Sequence, residues 1–346
     1  MIPNFYDKSR YIIHLRNLKQ ALQHGLELRK IHRVLEFKQS CWLKDYIQFN
    51  IDKRIASTND FEKDFYKLLN NSLFGKTIEN VFKRIDMHLV THWENIGKKV
   101  GARALIAKPN FKNSVVFTEN LVAIHMGKVK VLYNKPIYIG FSVLEISKTL
   151  MYDFLFNFLK PTYNSNLTVC YMDTDSFILE VQTDDFYSDM KPYLEQHFDT
   201  SKLSSANQFG YPVINEGTLG LFKDECGEKL LWEFVGLRAK VYEINVEGEL
   251  TKKCKGVTKV ALADVVSDDC STKEQQERRR REEYKDALFH NKIILKRMTT
   301  FRSIKHTIQT QTINKVAIDA QDDKRFLLPN SHNTLAWGHY QIPNNV

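Results

Sequence analysis

Apolar positions recur along this chain in two rhythms. Over residues 11–24, Ile12, Leu15, Leu18 and Leu22 fall at helical spacing, and Gly25 stands where a helix would stop. Residues 26–39 read as extended, through Leu26, Leu28, Ile31, Val34 and Phe37, with basic residues between them. A second helix is expected over 42–54, carrying Trp42, Leu43, Tyr46, Ile47 and Phe49. A third starts at Asn59 or Asp60, residue types that cap helix N-termini. Phe61, Phe65, Leu68, Leu69 and Ser72 form its expected buried face, and Lys63, Lys67, Asn71 and Phe74 cluster on roughly the opposite side. Gly75 then allows a close backbone approach or a bend. Short apolar runs at 87–90, 114–117, 121–124 and 129–133 read as strands of an antiparallel sheet. Residues 138–159 read as a long buried helix whose aromatics (Tyr152, Phe154, Phe156, Phe158) belong to a core, with Pro161 ending it. Residues 217–223 read as a turn entering a strand, and 236–244 as an extended segment in which Lys240 and Tyr242 share a face. Near 263–271 the composition shifts as in a linker. A highly charged helix follows over 272–290, and the tail from 301 to 342 forms a small final lobe. The sum is an α+β fold, with helices packed on one face of an antiparallel sheet.

One stretch stands apart: Tyr171-Met172-Asp173-Thr174-Asp175-Ser176-Phe177-Ile178-Leu179-Glu180. Apolar, β-branched and aromatic flanks around a tight polar centre read as a β-hairpin. In an extended strand, side chains two apart share a face, so Asp173 and Asp175 would project together at the tip. Two carboxylates that close repel unless water or a hard cation such as Mg²⁺, Mn²⁺ or Ca²⁺ compensates. Asp, Thr and Ser are also ordinary turn residues, and on the D-x-D alone a plain turn is the favoured reading; what lifts the metal reading is the company of other motifs in the chain. The lysines at 63 and 67 are likewise open to a plain solvated reading, though with Phe74 they make a surface able to hold a phosphate and rest a ring on a sugar or base.

Charge narrows the choice of partner. The 346 residues hold 50 basic and 41 acidic side chains, a formal net charge of +9, and 43% are apolar. A basic balance favours a polyanion, most simply nucleic acid. The charge is uneven: eight acidic residues and one basic lie between Tyr171 and Thr200, against ten basic and five acidic between Ser271 and Arg302, including Arg278-Arg279-Arg280-Arg281. Two solvated surfaces would look the same. The five cysteines (Cys41, Cys170, Cys226, Cys254, Cys270) are scattered without a C-x-x-C, so neither a zinc site nor a disulfide framework is indicated, which fits a reducing, intracellular setting. No signal peptide or membrane-spanning apolar run is seen.

Three motifs, in order, carry a family resemblance. Lys67-(x3)-Asn71-Ser72-Leu73-Phe74-Gly75 resembles the K-x3-N-S-x-Y-G motif of family B DNA polymerases, with Phe74 where Tyr is usual. Tyr171-Met172-Asp173-Thr174-Asp175-Ser176 resembles their Y-x-D-T-D-S motif, and Lys240-Val241-Tyr242 their K-x-Y motif. The surrounding wording is similar to the organellar and viral branch, which includes protein-primed polymerases of viruses, linear plasmids and Maverick/Polinton-type elements. The stretches concerned are Lys30-Ile31-His32-Arg33-Val34-Leu35, Phe37-Lys38-Gln39-Ser40, Gly75-Lys76-Thr77-Ile78-Glu79-Asn80 and Gly236-Leu237-Arg238-Ala239-Lys240-Val241-Tyr242.

The resemblance implies a right-hand architecture, with 1–41 and 86–262 as palm, 42–85 as fingers and 263–346 as thumb. It implies DNA-directed DNA polymerisation, with DNA primer-template, deoxynucleoside triphosphates and, in protein-primed members, a terminal protein as partners. By position, Asp175 and Asp173 would be catalytic and metal-binding, holding two Mg²⁺ ions or Mn²⁺ in their place. Lys67, Asn71 and Phe74 would bind the nucleotide, and Lys240 and Tyr242 the primer end. A primer 3′-hydroxyl would attack the α-phosphate between two metals. The family's further aspartate, in a D-x-x-S-L-Y-P-like motif, does not precede Lys67, and no 3′–5′ exonuclease motif occurs. With Met1-Ile2-Pro3-Asn4 leading straight into structured-looking sequence, the expectation is a C-terminal portion of a longer polymerase. The second reading is a catalytically dead remnant that only binds nucleic acid. A reverse transcriptase fits less well, because its hairpin reads Y-x-D-D and Thr174 separates the aspartates here.

Overall fold

A computed structural model describes residues 4–263, 273–304, 307–321, 324–329, 331 and 333–343; the side chains of 273–281 lie outside the description. The helices are α1 (Leu15–Gln23), α2 (Lys44–Ile55), α3 (Asp60–Thr77), α4 (Ala102–Ile106), α5 (Ile137–Asp153), α6 (Lys160–Tyr163), α7 (Phe186–Met190), α8 (Leu194–His197), α9 (Lys259–Ala263) and α10 (Lys273–His290). The strands are β1 (Asp86–Val90), β2 (Phe111–Thr118), β3 (Leu121–Met126), β4 (Leu167–Asp173), β5 (Ser176–Val181), β6 (Leu231–Arg238), β7 (Val241–Val246), β8 (Glu249–Cys254), β9 (Ile294–Ile304), β10 (Thr307–Ile318), β11 (Phe326–Leu327) and β12 (Thr334–Leu335). The fold mixes helices with small antiparallel sheets, as α+β proteins do. Two compact units divide the chain: one holds 1–51, 144–298 and 314–346, the other 52–143 and 299–313.

In the second unit, β1, β3 and β2 form an antiparallel sheet in that order. Val122, Ile124 and Met126 of β3 pack with Val90, Ala102 and Leu105, so α4 closes the core of this sheet. Asn59 caps α3, its side chain accepting from the Glu62 N–H at 2.9 Å. The C-terminal turn of α3 meets α5 at Gly140: a Cβ there would lie 2.4 Å from Ile78 Cγ2, 2.6 Å from Thr77 Oγ1 and 3.2 Å from the Phe74 carbonyl oxygen.

The expected phase of α3 is corrected. Phe61 (79% exposed), Phe65 and Leu68 face outward, and no residue of the helix is fully buried. The half-buried positions are Tyr66, Leu69, Asn70, Leu73, Phe74, Gly75 and Thr77, and apart from Gly75 they make a stripe of the right period turned to another side. Phe74 belongs to that stripe, while Lys67 and Asn71 are exposed one turn apart. Gly75 needs no close approach, since a Cβ there would meet nothing within 4 Å. The expected strand at 129–133 is absent; Val129 and Tyr133 lie exposed, for alternation cannot make a strand without a partner for its backbone.

In the first unit the apolar stripe read along 11–24 is again not the buried one. Asn17 and Gln20 of α1 are buried, while Ile12, Leu15 and Leu22 are exposed. The reason lies on α5: Glu145, itself buried, accepts from Asn17 Nδ2 at 2.9 Å and from the His14 N–H at 3.4 Å, and Lys148 pairs with its other oxygen. Burial works to raise the Glu145 pKa, but these hydrogen bonds outweigh it and the carboxyl sits below its ordinary value. In α2, likewise, Asn50 is buried while Trp42, just before the helix, and Tyr46 and Phe49 on it are exposed. Residues 27–40 form no helix or strand and all are exposed.

Pro161 does not end the helix begun by α5. The chain widens to π geometry over Phe154–Leu159 and runs on through α6, which takes Pro161 without an N–H to donate. Phe154, Leu155 and Leu159 of this stretch, with Tyr163 and Met190, form an aromatic-rich core against Phe177, Leu179 and Val181 of β5. Phe154 stacks on Phe222 at 4.0 Å between ring centroids. Residues 217–223 hold no strand; Phe222 makes a lone bridge with Phe198.

The sheet β6–β7–β8 rests on a second core that includes Val235, Leu237, Val241, Cys254, Tyr284, Ala287, Ala317 and Ile318. Tyr284 of α10 donates its hydroxyl to the Lys253 carbonyl at 2.9 Å. Lys296, 1% exposed, pairs with Glu283 at 2.5 Å, and Lys252 pairs with buried Glu243 at 3.2 Å. The expected linker and the Arg278–Arg281 side chains fall almost wholly outside the described residues. Cys41, Cys170, Cys226 and Cys254 are free thiols. Among the described residues no helix is long and apolar enough to cross a membrane.

Candidate active site

β4 and β5 pair antiparallel from Leu167↔Val181 to Asp173↔Ser176, leaving Thr174 and Asp175 as the turn. Cys170 is an extra residue between the pairs Val169↔Leu179 and Tyr171↔Ile178, a bulge that resets the alternation just before the motif. At the tip the Asp175 N–H donates to the Asp173 carbonyl at 2.6 Å, closing a tight turn about Thr174. Thr174 has φ +55°, in the left-handed region that β-branched residues avoid. The backbone is therefore not extended here, and the rule that placed residues two apart on one face does not govern Asp175. Asp175 is exposed; Asp173 is half-buried.

A second turn meets this tip. β6 and β7 close at Arg238↔Val241 over Ala239 and Lys240, so 236–244 is a hairpin and not one extended segment. Lys240 has φ +62°. Its N–H donates to the Tyr171 hydroxyl oxygen at 3.0 Å, and its Nζ pairs with Asp173 Oδ2. Its carbonyl accepts from the Lys255 N–H at 3.1 Å, tying the turn to the end of β8. Behind the turn, the Tyr171 and Tyr242 rings lie 4.8 Å apart, with Phe234 at 6.2 Å and 5.9 Å from them. Gly236 makes room for Phe234, since a Cβ there would lie 2.6 Å from its ring.

The electrostatics follow from these contacts. The Lys240 ammonium, by hydrogen bond and charge, holds the Asp173 carboxyl below its ordinary value, and Asp173 in turn raises Lys240. Burial pushes the Tyr242 phenol up, helped by Tyr171 and Asp173. Among the described residues no group of three or more His, Cys, Asp or Glu side chains could hold a metal. The hairpin offers two carboxylates, one exposed and one paired with a lysine. That donor set fits a Mg²⁺ ion that takes most of its shell from water and substrate phosphate, not an all-protein cage.

The structure thus brings Asp173, Lys240 and Tyr242 together, with Asp175 beside them in the chain. Lys67, Asn71 and Phe74 share α3, in the other unit. Tyr171, Phe234 and Gly236 are the members of this cluster to which the sequence pattern gave no role. The signal for Gly236 lay in Phe234-x-Gly236, a ring and a glycine two apart on one strand face.

Residues 7–161 match the family described as DNA polymerase type B, organellar and viral. No curated protein and no solved structure matches the chain. The matched residues include Lys67, Asn71 and Phe74 and stop before Tyr171, so the hairpin and the Lys240 turn are read from their own motifs and geometry. Over residues 7–161, less than half of its length, the chain is similar to the type B DNA polymerases, organellar and viral.

Proposed function

We propose that this chain supplies nucleotide-adding residues of a DNA-directed DNA polymerase, which extends a primer 3′-hydroxyl from deoxynucleoside triphosphates. The observation that carries this reading is the docking of the Lys240 turn on the Asp173–Asp175 hairpin. Two motifs 67 residues apart meet through a main-chain and a side-chain contact. A coincidence of turn residues gives no reason for that convergence.

In this reading Asp175 and Asp173 hold Mg²⁺. The ions, when bound, supply charge stabilisation to the attacking and leaving oxygens. Lys240 is a cation that can exchange Asp173 for a primer phosphate, while the Tyr242 phenol lies beside it to meet the primer terminus. Lys67 and Asn71 present an ammonium and an amide from one exposed face of α3, suited to a triphosphate. Phe74, half-buried on the same helix, is the ring that would rest against the nucleotide. The bond from the primer oxygen to the α-phosphorus forms as the bond to pyrophosphate breaks. The net charge of +9 favours the DNA partner.

The test is primer extension on a primed DNA template with Mg²⁺ and four nucleotides, beside Asp175→Asn. Extension is expected to fall by about a hundredfold or more in the variant, with salt-sensitive DNA binding retained. Equal extension by both proteins, or equal loss of binding and extension, overturns the role of Asp175. Binding without extension by either protein means that these residues bind DNA and do not copy it.

A further inference from the structure

Lys240 is tied to the catalytic hairpin by two contacts of different kinds. One is made by its side chain, the ammonium on Asp173; the other by its backbone, the N–H on the Tyr171 hydroxyl. The two are separable. An ammonium that leaves Asp173 for a phosphate, or is displaced by a cation arriving at that carboxylate, breaks the first and leaves the second intact. Tyr171 is well placed to hold on. Its ring is half-buried against Tyr242 and Phe234, and its position on β4 is set by the bulge at Cys170. The left-handed backbone of Lys240 turns its N–H toward the hairpin, and the carbonyl of the same residue is caught from the other side by Lys255.

We propose that Tyr171 is a positioning residue: its hydroxyl keeps the Lys240–Tyr242 pair on the Asp173–Asp175 hairpin while the Lys240 ammonium exchanges partners. This rests on the polymerase reading above. Tyr171 itself touches no reacting atom. It fixes where the primer-holding groups stand relative to the carboxylates, through the Lys240 N–H bond, two ring contacts and a hydroxyl interaction with the Asp173 carboxylate itself. The hydroxyl and the ring therefore do different work: the ring packs, and the oxygen anchors the turn.

Tyr171→Phe removes the oxygen and keeps the ring. Amide hydrogen exchange at Lys240, followed by NMR or by mass spectrometry of peptides covering 238–243, is expected to speed up by about three- to tenfold, the effect of one lost hydrogen bond. Primer-template binding by fluorescence anisotropy is expected to weaken by a similar factor. In extension assays the KM for primer-template rises and that for the nucleotide does not. A merely structural role would instead lower the active fraction and leave both KM values unchanged. Tyr171→Ala is expected to lose the ring packing as well and to lower the melting temperature, which Tyr171→Phe does not. Unchanged exchange at Lys240 in Tyr171→Phe overturns the proposal, as does a rise in nucleotide KM alone. The exchange measurement needs no catalysis, so a chain that binds DNA without extending it refutes the polymerase reading and leaves the anchoring role separately tested.

Discussion

Thr174 and Lys240 both hold backbone angles that side-chain-bearing residues rarely adopt, one in each of the two turns that the Asp173–Lys240 pair links. Each such residue costs on the order of 1–3 kcal/mol and persists only where its surroundings hold it. Here the surroundings are named: hydrogen bonds about the Asp173 carbonyl on one side, and Tyr171 and Lys255 on the other. Glu79, in the other unit, shows a different consequence of local charge. Arg84 binds it at 2.5 Å and 3.0 Å, with Lys76 and Lys135 at 3.5 Å and 3.4 Å. The Arg84 hydrogen bond leads in lowering its pKa from 4.5 to about 2. An acid lowered on folding stabilises the fold above its unfolded pKa and loses that contribution as pH falls through the folded value. The Glu79 contribution is thus present at neutral pH and is lost between 4.5 and about 2. Carboxyl-carbon NMR is expected to show Glu79 titrating near the lower figure, and Arg84→Gln to move it upward. A titration unaffected by that substitution would contradict the pairing.

At the scale of elements, two glycines separate packing from propensity. Gly140 on α5 sits where α3 ends, and a methyl group there runs into Ile78, Thr77 and the Phe74 carbonyl. Gly140→Ala gains helix propensity, about 0.5–1 kcal/mol, but overpacking of this kind costs typically 1–3 kcal/mol. A net loss of stability is expected, read as a lower denaturation midpoint. Gly75, within α3, has open space around it, so Gly75→Ala is expected to raise the midpoint. If it raises the midpoint and also raises the KM for nucleotide, the space beside Gly75 is where the nucleotide lies. Equal effects of the two substitutions would mean that the contact at Gly140 does not constrain the helices. The same comparison explains a sequence misreading. Gly75 stands in a motif and looked like the close-packed glycine, whereas Gly140 stands in no motif and is the one that packing requires.

Across the whole chain, apolar side chains are unevenly sheltered. Leu26, Leu28, Ile31, Val34, Leu35 and Phe37 all lie exposed in the stretch without regular structure, and Arg29, Lys30, Arg33 and Lys38 are interleaved with them. Backbone in this state enters a protease site without unfolding anything else. Brief trypsin digestion is expected to cut first between 29 and 38, before the lysines of β7–β8 and α10. First cleavage elsewhere would mean that this stretch is covered in solution. Periodicity read the elements better than it read their faces. The strands β1, β2 and β3 and the helices α2, α3 and α5 were legible. The buried sides of α1 and α3 were not, because a helix's period is intrinsic while its partner is not. α1 turns Asn17 and Gln20 inward only because Glu145 and the Thr149 carbonyl wait on α5.

By itself the sequence determined the local chemistry. It set the order and spacing of the three motifs, the hairpin around Thr174, a helix cap at Asn59 or Asp60 and the basic balance, since each depends on residues close in the chain or on composition alone. Tertiary structure decided which of these residues meet. Nothing in the spacing of Asp173 and Lys240 foretells an ion pair across 67 residues, and the extended reading of 236–244 would have pointed Lys240 elsewhere. The pair exists because β6 and β7 fold back at Lys240, because Gly236 makes room for Phe234 to pack, tilted, against Tyr171 and Tyr242, and because the π-widened helix carries Phe154 under β5. Contacts between distant segments are set by packing, and packing is a property of the folded chain rather than of any stretch of it.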